Sequence, residues 1–158
     1  MLENCKSAQE RWGGVSHLID QWLEERQDML VRFCALGEIR HFSSEDRSQG
    51  KKVKNFFEIL VDYTSAGHFE IYDQLIREGT SYQDRDALEA ANNLLQTIDV
   101  TTALILDFND KYLEHDDLSS LTVDLSTLGE AIESRLEAED CMIEVLHSAH
   151  RGQSPKNS

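Results

Sequence analysis

Leu60-Val61-Asp62-Tyr63-Thr64-Ser65-Ala66-Gly67-His68-Phe69-Glu70-Ile71-Tyr72 carries an apolar seam at helical spacing, and aromatic and acidic groups share its turns. Leu60, Thr64, His68 and Ile71 fall on one face, continuing Val53 and Phe57 before them and Leu75 after, so the spacing predicts a helix ending near Gly79. Asp62, Ser65, Phe69 and either Tyr72 or Asp73 repeat on the opposite side and form one outward strip. One face builds a core; the other has something to grip. The polar run from Ser43 to Gly50 reads as the linker before this helix.

The same periodicity extends over the chain. Val15, Leu18, Ile19, Trp22, Leu23, Met29, Leu30 and Phe33 make a first helical stripe, with Gly37 as its C-terminal stop and Gly13-Gly14 kinking its first turns. A third helix is expected from about Asp84 to His115, with Leu88, Ala91, Leu95, Ile98, Thr102, Ile105 and Tyr112 inward. Leu121, Leu125, Leu128, Ile132, Leu136, Ile143 and Leu146 define a fourth, apart from one skipped position at Glu139. The lone proline is Pro155, so the strongest helix breaker is absent from residues 1–154. No strand pattern competes. Four amphipathic helices on short connections bury their stripes most simply as an all-α, antiparallel four-helix bundle with a long first helix. A chain of 158 residues fits one domain, residues 1–150, followed by a flexible tail from Arg151 to Ser158.

Charge narrows the function classes. The net charge is −15, and residues 55–150 hold 21 Asp and Glu against Arg77, Arg85, Lys111 and Arg135 alone, a local balance near −17. Such a field repels nucleic acid and anionic lipid and draws in cationic surfaces. The expected partner is a basic protein, with no direct nucleic acid and no membrane contact. Cys5, Cys34 and Cys141 are odd in number and widely spaced, which reads as reduced thiols. The start shows no secretory pattern and no segment reaches the ~18 uncharged apolar residues of a membrane span. A cytoplasmic protein is expected.

His68 and Glu139 occupy seam positions where leucine would be usual, so a buried polar pair between two helices is predicted. A metal- or ligand-binding bundle using His68 and Glu139 is the alternative function they raise. Di-metal bundles need Glu-x-x-His on two helices and a Glu on each of the others, and that set is missing, so neither metal nor other cofactor is expected. No Gly-x-Ser-x-Gly elbow, phosphate-cradling glycine loop or cysteine signature is present, and the chain does not read as an enzyme. For Phe69 two readings stand: an exposed anchor rimmed by Asp62 and Ser65, or ordinary core beneath a neighbouring helix.

The 60–72 stretch resembles the signature of the Rsd/AlgQ family of bacterial anti-sigma factors. Met-Leu-Glu-Asn-Cys, Gln-Glu-Arg-Trp-Gly-Gly-Val (9–15) and Leu-Ile-Asp-Gln-Trp-Leu-Glu-Glu-Arg (18–26) are similar to the start of AlgQ-type members from pseudomonads. The segment 128–147 is similar to the family's last helix. The resemblance implies a helical bundle that binds region 4 of the primary sigma factor and keeps it from core RNA polymerase and from −35 promoter DNA. It also implies that Asp62, Ser65 and Phe69 match sigma-contacting positions; helical spacing, not the resemblance, adds Tyr72 and Asp73 to the expected sigma-binding strip. Enteric members are linked to the phosphotransfer protein HPr and AlgQ-type members to alginate regulation, which makes HPr a second candidate partner. A monomer or weak homodimer is expected. Residues 39–50 and 78–84 depart from the family pattern, and no contact is carried over there.

Overall fold

The computed structural model describes residues 17–114 and 117–147, the side chains of His68 and Phe69 excepted. Gly13-Gly14, Val15, His115 and the tail from Arg151 therefore lie outside the described residues, as do the expected first turns of the first helix ahead of His17. Within them the chain is helical, with α1 His17–Gly37, α2 Arg47–Ala66, a π-helical turn Gly67–Ile71, α3 Tyr72–Ser81, α4 Arg85–Glu114 and α5 Leu121–Leu146. No strand occurs among the described residues.

Three helix boundaries follow from local chemistry. α2 starts inside the stretch read from sequence as linker, because the Asp46 carboxylate accepts from the backbone N–H of Ser48 and Gln49 at 2.9 and 3.3 Å and so satisfies two orphan donors. Asp84 does the same for α4 through Ala87 N–H at 3.0 Å. Gly79 does not end its helix. It is buried within α3, where a Cβ would come within 2.6 Å of Leu146 Cδ2, so its lack of a side chain lets α3 approach α5. The turn falls at Gln83, whose φ of 55° is left-handed.

Side-chain contacts fix how the helices run. Phe33 meets Phe56, and Trp22 and Arg26 both meet Tyr63, so rising numbers on α1 pair with falling numbers on α2. Lys111 reaches Asp124 while Arg135 reaches Ile98 and Thr101, the same antiparallel sense for α4 and α5. These two form the most extensive helix pair. The core runs through Trp22, Leu30, Phe56, Leu60, Ile98, Ile105, Ile132 and Ile143, all nearly inaccessible. The expected seams of α4 and α5 are recovered, with Leu88, Leu95 and Thr102 partly buried and Thr101 taking a fully buried place.

Candidate partner-binding site over a π-helical turn

The second predicted helix is interrupted, and the interruption decides which residues face out. At about 100° per residue, Tyr72 on an unbroken helix would stand about half a turn from Tyr63. The turn Gly67–Ile71 instead closes with Tyr72 N–H donating to Gly67 C=O, an i→i+5 bond that absorbs one extra residue. Downstream side chains are thereby rotated by about 100°. Tyr72 swings inward and is 2% exposed, which corrects its placement on the outward strip. Asp73 takes the exposed position with Asp62 and Ser65. The side chains of Phe69 and His68 lie outside the described residues.

Two carboxylates not assigned from sequence join this face. Glu70 is exposed in the π-helical turn, and Glu25 of α1 lies close enough that burial first, then the charges of Glu70 and Asp62, raises its pKa. Three like charges gathered across two helices repel one another, and a cation arriving there relieves that repulsion. Asp73 makes an exposed pair with Arg77 at 3.0 Å.

Beneath the turn lies a buried polar network that holds it in place. Tyr63 Oη donates to Glu139 Oε2 at 2.9 Å and accepts from Arg26 Nε at 3.0 Å, while Arg26 Nη1 reaches Asp140 at 2.7 Å. Arg135 Nε is 3.3 Å from Glu139 Oε1, within ion-pair distance but angled away from a hydrogen bond. Its other nitrogens donate to Thr101, Thr102 and the Tyr72 hydroxyl at 3.0, 2.8 and 3.1 Å. Trp22 stacks on Tyr63 with centroids 5.4 Å apart and meets Tyr72 edge-on. Gly67 lets both approach: a Cβ there would lie 3.1 Å from Tyr72 Oη and 3.3 Å from the indole.

Electrostatics follow from this enclosure. Burial raises the Glu139 pKa, opposed by the charges of Arg135 and Arg26. Burial works to lower the Arg26 pKa, yet the Tyr63, Glu139 and Asp140 groups hold it above its ordinary value. Tyr63 and Tyr72 are both pushed up, first by burial. Glu139 is buried, as its seam position implies, but its partners among the described residues are Tyr63, Tyr72, Arg135 and the nearby Arg26. Neither arginine is singled out by sequence periodicity, although each leaves a trace. Arg26 fills the gap between Leu23 and Met29 in the α1 stripe, and Arg135 stands one turn before Glu139 on the α5 seam.

Among the described residues no group of three or more His, Cys, Asp and Glu side chains is placed to hold a metal ion, and no helix is long and apolar enough to cross a membrane. The fold and this surface define an all-helical scaffold with an acidic face above a buried polar network. The chain belongs to the Rsd/AlgQ family, the regulators of the RNA polymerase sigma(70) subunit, whose pattern it matches over residues 1–147. It is 37% identical over 148 residues to the regulator of sigma D from Enterobacter sp. strain 638, covering 90% of this chain and 88% of that one. The namesake proteins of Yersinia enterocolitica and Yersinia pseudotuberculosis are 33% and 35% identical over 151 residues, 91% of this chain and 89% and 88% of theirs.

Proposed function

We propose that this chain is a cytoplasmic, non-enzymatic anti-sigma factor that binds region 4 of the primary sigma factor and withholds it from core RNA polymerase and −35 promoter DNA. The carrying observation is the acidic face of Glu25, Asp62 and Glu70, raised over the π-helical turn of a chain in a sigma-regulator family. A promoter-reading helix-turn-helix presents cations to phosphates, and a carboxylate face competes for the same cations. Asp62, Ser65 and Asp73 form the polar rim of the contact and Phe69 its apolar anchor. The scaffold in this reading is a four-helix bundle, residues 47–81 counting as one interrupted helix, in a single domain of residues 1–150. The alternative of a metal- or ligand-binding bundle using His68 and Glu139 draws no support from Glu139, whose oxygens face Tyr63 and Arg135.

The test is capture of isolated region 4 by Phe69→Ala and by Glu114→Ala, an exposed carboxylate away from the strip. An anchor residue costs about 2 kcal/mol or more on truncation, whereas a peripheral acid costs a few tenths. Equal retention by the two variants rejects the anchor.

A further inference from the structure

The face of α2 that carries Asp62 is two-signed. Arg47, Lys51, Lys54, Glu58, Asp62 and Ser65 follow at steps of three and four, so they share one line along the helix, and all are exposed. The extra residue of the π-helical turn brings Asp73 onto the same line, because eight residues after Ser65 equal two turns plus one. The amino-terminal half is cationic and the carboxy-terminal half anionic. Four of the chain's 15 Lys and Arg, Arg47, Lys51, Lys52 and Lys54, crowd into eight residues of a protein with net charge −15, and no Asp or Glu occurs from Arg47 to Phe57.

The helix dipole does not explain that island. Arg47, in the first turn, faces the positive end of the helix dipole, a placement that costs helix stability, and the lysines further along gain nothing from it. α2 has no acid within its first turn, and the Asp46 cap is a single carboxylate set against four cations. The surface around Arg47, Lys51, Lys52, Lys54, Asn55 and Glu58 is open, giving opposing side chains room to lie against the cations.

We propose that this face docks on a second copy of the chain, α2 against α2 in antiparallel sense about a two-fold axis. An axis crossing at the level of Phe56 sets Lys54 against Glu58 of the other copy and, one turn out on either side, Lys51 against Asp62. Both pairs centre on the same level, since positions 54 and 58 and positions 51 and 62 have nearly the same midpoint. The surface is thus self-complementary, the condition for a closed two-fold contact. One helical stripe is narrow and each copy carries −15, so the dimer is weak and dissociates on dilution. Because it covers Asp62, it hides part of the sigma-binding strip, a consequence that rests on the function proposed above.

The purified chain alone tests the contact, by sedimentation velocity at about 100 µM and about 1 µM. Wild type gives a two-chain species at the higher concentration. Lys51→Glu/Lys54→Glu and Glu58→Lys/Asp62→Lys each sediment as monomers, and their equimolar mixture restores the two-chain species, which also shows that both variants are folded. A wild-type chain monomeric throughout, or reversed variants that self-associate as wild type does, overturns the contact. No sigma factor enters this measurement, so it stands or falls apart from the proposed function. For the masking, apparent affinity for region 4 weakens as wild-type concentration rises but not for Lys51→Glu/Lys54→Glu; the same concentration dependence in both overturns it.

Discussion

The two antiparallel helix pairs are built on different principles. α4 and α5 are uninterrupted, and their hydrophobic residues hold one period from Ala87 to Tyr112 and from Leu121 to Leu146. The α2 to α3 segment changes period at Gly67, and directly beneath that change lie Arg26, Tyr63, Tyr72 and Glu139. The regular pair is set mainly by volume and period, with Arg135 reaching Thr101 and Thr102 as its buried polar contact. An interrupted one must also fix a register, and oriented polar contacts do that where apolar packing tolerates slippage. The difference places the site: the segment that departs from regularity is the one whose outer side carries Asp62, Ser65, Glu70 and Asp73.

The sharpest way to break this contrast is to remove Glu139. Glu139→Ala leaves Arg135 beside Tyr72 and two threonines with no counter-charge, and removes the acceptor of Tyr63. Deleting one partner of a buried pair costs about 3–5 kcal/mol, because the remaining charge stays desolvated. Urea denaturation should show that loss. Ile132→Val, at an equally inaccessible site on the same helix, should cost only about 0.5–1.5 kcal/mol. If the two losses match, the network contributes no more than ordinary packing.

Alkaline unfolding tests the same network through its hydroxyls. Tyr63 and Tyr72 have folded-state pKa values above the ordinary 10.0, and Tyr112 is pushed up to about 12, first by burial and then by its hydrogen bond to Asp124. Above pH 10 the unfolded chain therefore releases protons that the folded chain keeps, so stability falls as pH rises through that range. Tyr63→Phe should flatten the fall, at a cost near neutral pH of about 1–3 kcal/mol for unpaired Arg26 and Glu139 groups. Denaturation midpoints from pH 8 to 11 measure both, and an unchanged slope in Tyr63→Phe would remove that hydroxyl from the account.

How far the fold can be read from sequence divides along the same boundary. Periods of three and four locate α4 and α5 almost to the residue, because in a regular amphipathic helix burial and spacing are the same information. One continuous register for the second helix leaves either Tyr72 or Asp73 on the outward strip and does not choose between them. A π-helical turn leaves no composition signature, since its cause is tertiary: Trp22 and Tyr72 closing on Gly67. Asp62 and Ser65 precede the turn, and spacing alone puts them correctly on the exposed side. Glu25 and Glu70 reach the acidic face only through the packing of α1 on α2, which spacing within one helix does not encode. The cationic half of the stripe is hidden in a sequence because Arg47 and the residues around it read as linker, and Asp46 alone signals a cap there.

Two glycines in this segment give the smallest and most direct comparison. Gly50 sits in the regular part of α2, where a Cβ would have nothing within 4 Å, whereas the same atom at Gly67 meets Tyr72 Oη at 3.1 Å and the Trp22 ring at 3.3 Å. Alanine at either site lowers the entropy of the unfolded chain and favours helix by about 0.5–1 kcal/mol. At Gly50 that gain is unopposed, so Gly50→Ala should raise the melting temperature by a few degrees, on the order of 2–4 °C. At Gly67 the neighbours that must yield are stacked against Tyr63 and hydrogen-bonded to Arg135, and neither is the free end of a flexible chain. Gly67→Ala should therefore lose about 1 kcal/mol despite its better propensity. Opposite signs at two glycines 17 residues apart in sequence would locate the constraint at the π-helical turn. A gain at both would mean that the indole and the Tyr72 hydroxyl move aside, and that close approach to Gly67 does not hold the register.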